Sequence, residues 1–97
     1  MTTMVLKYDL VQQARFEVAL PRGAKPISVG MQSGWPKLWA IVDVDEMPEP
    51  RAFYMLGTGH PMPDRLGAFV GTLFDGAYVW HVFEEEYMRA PMEQAPV

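Results

Sequence analysis

Cysteine is absent from the 97 residues, which removes disulfides, thiolate metal sites and a cysteine nucleophile at once. Histidine occurs twice, as His60 and His81. A metal centre would have to recruit Asp43, Asp45 or Asp64, and no spacing resembles a dedicated ligand cluster. No metal or other cofactor is expected. Long apolar runs are missing too, and no charged n-region precedes an h-region. Neither a membrane span nor a signal peptide is therefore expected, and a cytoplasmic location is the default. Grouped cations are equally scarce: the eight Lys and Arg are scattered singly, whereas a nucleic-acid duplex is held by several phosphate contacts from clustered cations. Duplex binding is not expected.

The net charge of -4 is unevenly placed. Residues 1–83 hold seven Lys and Arg against eight Asp and Glu, and Glu84, Glu85, Glu86 and Glu93 against Arg89 load the remainder onto the end. The chain divides into a single β domain over residues 1–84 and an acidic, Pro-containing tail over 85–97, frayed or forming one short helical turn. The length suits one core and leaves no room for a second domain.

Alternation of apolar and polar residues sets the architecture. Met4, Leu6, Tyr8 and Leu10 alternate with Val5, Lys7 and Asp9, and Phe16, Val18 and Leu20 alternate with Arg15, Glu17 and Ala19, the period of two of half-buried strands. Residues 27–32 and 35–43 form two strands meeting at Ser33-Gly34, and 51–56 form a further strand after a loop over 45–50 that contains two prolines. Asp75-Gly76 is expected to be a two-residue hairpin turn between 68–74 and 77–83. That register sets Trp80 over Gly71 and puts Phe69, Val82, Leu73 and Tyr78 on the same face, with Val70, His81, Val79 and Phe74 on the other. About seven short antiparallel strands joined by Gly/Pro turns make an all-β fold, a small barrel or sandwich. Bulk on both faces of several strands points to a homo-oligomer.

On the Ser33-Gly34 hairpin, counting puts Val29, Leu38, Ile27 and Ala40 on a core face. Trp35, Lys37, Trp39 and Ser28 fall on the other as an amphipathic ledge. The ledge is expected to lie under another sheet, the tail or a second subunit. Pro36 strains this register, because it cannot donate to a ladder and fits an edge or a wider loop.

One loop carries candidate chemistry. Backbone N–H groups around Gly57, Thr58 and Gly59 are placed to form a concave anion nest, with the Thr58 hydroxyl and a protonated His60 adding donors. No Lys follows at the spacing of a P-loop. The competing structural reading is a rigid connection in which His60, held extended by Pro61, bonds a neighbouring carbonyl. His81, in mid-strand, is expected to be a neutral core imidazole with one partner. Thr58 as nucleophile with His60 as base has only Asp64 to orient it, a thin basis for hydrolysis. Met31, Met47, Met55 and Met62 suit either an adaptable surface or gap filling.

The ordered set Lys7-Tyr8, Leu20-Pro21-Arg22-Gly23-Ala24, Leu38-Trp39-Ala40-Ile41-Val42-Asp43, Gly57-Thr58-Gly59-His60-Pro61 and His81-Val82-Phe83-Glu84 resembles an uncharacterised family of short proteins found in phages and prophages. The resemblance spans nearly the whole chain up to Glu84, and the GTGHP loop with the HVFE strand end is its most distinctive part. It implies a compact accessory protein acting on the host, with counter-defence as one role, and brings no catalytic residues. The leading expectation is a non-enzymatic, homo-oligomeric binder of a small anionic, nucleotide-like ligand. In it, Gly57, Thr58, Gly59 and His60 hold phosphate while Trp35, Trp39 or Tyr54 stacks on the base. The alternatives are an inhibitor docking on a host protein through the ledge or tail, and a small hydrolase.

Overall fold

The computed structural model describes residues 1–86. Seven strands run through them: β1 (Thr3–Asp9), β2 (Arg15–Pro21), β3 (Lys25–Gln32), β4 (Trp35–Asp43), β5 (Pro48–Gly57), β6 (Leu66–Asp75) and β7 (Tyr78–Glu85). They form a three-stranded sheet of order β1-β4-β3 and a four-stranded sheet of order β2-β5-β7-β6. Every pairing is antiparallel. Of the two expected architectures the chain adopts the sandwich, and no barrel closes. The described residues contain no helix. The helical turn expected in the tail lies outside them, and Glu85 is the last residue of β7.

The alternation read from sequence builds the core. In β2, Phe16, Val18 and Leu20 point inward and their neighbours outward; in β4 the same holds for Leu38, Ala40 and Val42. Leu10, Ala24, Phe53, Met55, Leu73 and Val82 complete the buried cluster, and Phe16 stacks on Phe53 with ring centroids 5.7 Å apart. Each large side chain so buried contributes about 1.5–3 kcal/mol of transfer free energy. The sheets approach closely where β6 faces β3, and Gly71 makes this approach possible. A Cβ there would lie 2.9 Å from Val29 Cγ2 and 3.3 Å from the Val29 nitrogen.

The Ser33-Gly34 turn is tight, with positive φ at both residues (54° and 77°), as a type I′ hairpin requires. Gln32 pairs with Trp35 and Met31 with Pro36. Pro36 is tolerated because β1 pairs with β4 only as far as Lys37, so no ladder donor is demanded of it on that side; its carbonyl accepts from the Leu10 N–H at 3.0 Å. A bulge between Pro26 and Ser28 turns Ile27 outward, 42% exposed, so it leaves the core face that simple counting assigned it.

The second hairpin differs from its expected register. Asp75 pairs with Tyr78 and Leu73 with Trp80, so the two-residue loop is Gly76-Ala77. Only Gly76 has positive φ there (61°), which is the sign pattern of a type II′ turn with glycine first. The pairing slips by one residue on each strand, which preserves the faces but sets Trp80 opposite Leu73 rather than Gly71. A bulge between Phe69 and Gly71 then sends Phe69 to the outer face, where its ring lies 5.2 Å from that of Phe83, while Val70 packs against the core. β5 also begins earlier than expected. Pro48 and Pro50 pair with Pro21 and Ala19 of β2, and β7 joins β5 only from Phe53 onward. The prolines thus sit where the strand has one neighbour, as ladders permit.

Candidate ligand-binding cleft

β5 ends at Gly57, which pairs with Trp80 of β7. The chain then makes a β-turn over 57–60, closed by the His60 N–H donating to the Gly57 carbonyl at 3.1 Å. Gly59, with φ of 90°, occupies the third position, where a type II turn needs a left-handed residue. The turn folds the His60 ring back over Gly57, whose missing side chain makes the space: a Cβ there would meet the imidazole at 2.9 Å. Two donors expected for the anion nest are thereby engaged within the protein, because the Thr58 hydroxyl bonds His81 Nε2 at 2.8 Å. The His60 imidazole is the group the loop presents.

It presents it to a cleft of about 450 Å³ at this end of the four-stranded sheet. Gln12 and Gln13, on the connection between β1 and β2, form one flank; Tyr78 and Trp80 of β7 form the floor with Met55; Asp75 of β6 forms the other flank. The Ala14 carbonyl accepts from the Met55 N–H at 3.0 Å, which seats the glutamine segment beside β5. Tyr78 and Trp80 are two positions apart on one strand, so both side chains share a face. Their rings stack with centroids 6.2 Å apart at 18°. None of the strands of the three-stranded sheet lines the cleft.

Among the described residues, Gln12, Gln13, His60 and Asp75 make no side-chain hydrogen bond within the protein, and Trp80 Nε1 is buried without an acceptor. A buried donor left in that state costs about 1–3 kcal/mol. Several polar side chains elsewhere are paired: Lys7 donates to Gln32 at 2.6 Å, Lys37 pairs with Asp9, and Arg51 bridges Glu84 and the Ala24 carbonyl. Among the described residues no Lys or Arg lines the cleft.

Behind the loop, on the opposite face of the sheet, is a smaller depression of about 220 Å³ walled by Leu56, Met62, His81 and Phe83 and sharing His60. His81 is half-buried on this outer face and meets two hydroxyls, Thr58 at 2.8 Å and Thr72 at 3.3 Å. This corrects the expectation of a core imidazole with one partner. The group orienting the ring is a hydroxyl and not a carboxylate, so the arrangement lacks the third member of a nucleophile–base–orienter set. Of the four methionines singled out, Met55 is core and Met47 and Met62 are exposed, while Met31 packs against the core. No group of three or more His, Asp or Glu among the described residues is placed to hold a metal ion.

The fold brings Gly57, Thr58, Gly59 and His60 together and sets the other three candidates apart. Trp35 and Trp39 stand on the outer face of the three-stranded sheet, Trp39 between Lys7 and Ser28 and 3.5 Å from a Cβ built on Gly30. Trp35 is 49% exposed, and no sheet among the described residues covers this face. Tyr54 lies on the outer face of the four-stranded sheet, donating its hydroxyl to Glu85 Oε2 at 2.8 Å. Glu85 also accepts from Arg15 at 3.0 and 2.9 Å. The Arg15 hydrogen bond, with that of Tyr54, holds the Glu85 carboxyl down at about 2, and Glu85 in turn pushes the Tyr54 phenol up. Gln12, Gln13, Asp75, Tyr78 and Trp80 were not apparent from sequence. The one available signal was the period-two placement of Tyr78 and Trp80 after a turn.

No curated protein and no solved structure matches the chain. A family model described as "Domain of unknown function" matches residues 1–92, a span that takes in both sheets and the whole cleft, and the chain belongs to that family, DUF7352.

Proposed function

We propose that the protein is a non-catalytic binding module that captures a small nucleotide-like ligand in the cleft, its ring against Tyr78 and Trp80 and its anionic group beside His60. The observation that carries this reading is the stacked aromatic pair set among four polar side chains with no side-chain partner among the described residues. Stacking of a base on an aromatic ring is worth about 1–3 kcal/mol and tolerates any planar heterocycle. The volume suits a small ligand. Among the described residues no Lys or Arg lines the cleft, which favours a ligand of low charge beside His60 over a polyphosphate. The phage resemblance supplies the proposed setting, counter-defence by sequestering a host signal. Self-association belongs to the same reading: Val5, Trp35 and Phe74 are 54%, 49% and 71% exposed, more apolar surface than one small sandwich covers.

The test is calorimetric titration of the full chain with nucleoside monophosphates. Tyr78, 66% exposed, is replaceable without loss of core, so Tyr78→Ala is expected to weaken binding by roughly tenfold at unchanged fold, and His60→Ala to weaken the monophosphate more than the free nucleoside. Absence of heat with every nucleotide sinks the reading. A second reading, docking on a host protein, draws on the uncovered Trp35 and Trp39 face. It requires that Trp39→Ala abolish capture of the partner while His60→Ala leaves it intact.

A further inference from the structure

We infer that the ring the cleft selects is a guanine-type purine, read through the Asp75 carboxylate; this rests on the binding reading above and narrows it to one class of base. The argument begins with strand order. Because the four-stranded sheet runs β2-β5-β7-β6, the glutamines that precede β2 and Asp75 on β6 stand on opposite flanks of the aromatic floor supplied by β7. Three strand spacings of about 4.8 Å separate those flanks at the backbone. The side chains take up part of that span, and what is left matches one fused bicyclic ring lying on Tyr78 and Trp80.

Asp75 pairs directly with Tyr78 across the mouth of the hairpin, so its carboxylate rises from the same face as the Tyr78 ring, one strand away. It has no hydrogen-bond or ion-pair partner among the described residues. An ionised carboxylate only accepts, and it accepts best from two donors side by side. Guanine offers that pair on one edge, the ring N1–H and the exocyclic amino group. Adenine and cytosine set a ring acceptor next to the amino group, which a carboxylate repels, and uracil flanks its single N–H with two carbonyls. On the far edge guanine carries two acceptors, O6 and N7, and the Gln12 and Gln13 amides on the other flank have N–H groups to give them. A carboxylate beside aromatic faces also suits a small organic cation, but two glutamine amides have nothing to do for such a ligand, and the cleft is wider than one ammonium group needs.

The experiment is calorimetry with the unaltered full chain against GMP, IMP, AMP, CMP and choline, repeated with Asp75→Asn. GMP is expected to bind more tightly than AMP and CMP by roughly tenfold or more, the effect of one charge-assisted hydrogen bond. IMP, which keeps N1–H and lacks the amino group, should fall between. Asp75→Asn should bring GMP down to the IMP level or below while leaving AMP unchanged or improved. Equal affinity for GMP and AMP overturns the guanine assignment and leaves the binding reading standing. Choline binding in place of nucleotides also overturns it and turns Asp75 into a cation contact. Silence with every nucleotide overturns both. Because the nucleotide series uses the native sequence, a variant that failed to fold would not remove the test.

Discussion

Gly71→Ala is the sharpest probe of how the two sheets meet. The added methyl would lie 2.9 Å from Val29 Cγ2 and 3.3 Å from the Val29 backbone nitrogen. Val29 is β-branched, so its side chain has few rotamers into which to retreat, and the backbone nitrogen behind it belongs to a strand held by β4. Overpacking of this kind costs about 1–3 kcal/mol. Alanine returns about 0.5–1 kcal/mol by reducing the freedom of the unfolded chain, leaving a net loss of about 0–2.5 kcal/mol, centred on about 1 kcal/mol. For a domain of this size each kcal/mol moves Tm by about 4–8 °C, so a fall of about 4–8 °C at that centre is expected in a calorimetric melt. Gly30→Ala is the matched control: its Cβ would meet the Trp39 ring at 3.5 Å, an ordinary contact, and its Tm should hold or rise. Equal melting of the two variants would refute the claim that β6 and β3 pack backbone against side chain at Gly71.

Two further outcomes follow from the turns and the outer face. Ser33 holds a φ of 54°, which asparagine tolerates better than serine, so Ser33→Asn should stabilise by about 0.5 kcal/mol and raise Tm by about 2–4 °C; an unchanged or lower Tm counts against the type I′ assignment. Glu85 titrates at about 2 when folded against an ordinary 4.5, so its contribution is complete above pH 4.5 and disappears as the pH falls from there towards 2. Arg15 is 46% exposed and the pair is screened by solvent, which keeps the effect small. Glu85→Gln should therefore melt below the native protein at pH 7 and converge with it near pH 2; a gap that persists in acid would show that the residue acts through packing instead.

Sequence revealed the strands because period-two alternation is a local property, and β2 and β4 display it plainly. It revealed the Ser33-Gly34 turn because left-handed backbone has a small set of willing residues. Gly76-Ala77 was missed in favour of Asp75-Gly76 because glycine serves either turn type, and the choice is made by the register that β7 adopts against β5 as well as β6. Phe69 and Ile27 were misassigned for a related reason: a bulge shifts parity by one residue and leaves no mark in composition. Pro48 and Pro50 suggested a loop because a proline's tolerance depends on which neighbouring strand is present, a tertiary fact. The GTGH turn was legible from its two glycines, of which Gly59 takes the positive φ that the turn requires. Its partners in the cleft were not, since Gln12 and Trp80 meet only through the order of strands in a sheet.

The unequal sheets separate two kinds of residue that small proteins often merge. Of the described side chains around the cleft, Met55 belongs to the buried core and Trp80 packs against it, while Tyr78 and the flanks are supported by the fold without holding it up. Exchanging Gln12, Gln13, Asp75 or Tyr78 should leave the folding equilibrium nearly untouched while rewriting what the cleft prefers. Under the proposed binding reading, a lineage carrying this scaffold could follow a changing ligand by a few substitutions at one end of one sheet, with the other end fixed.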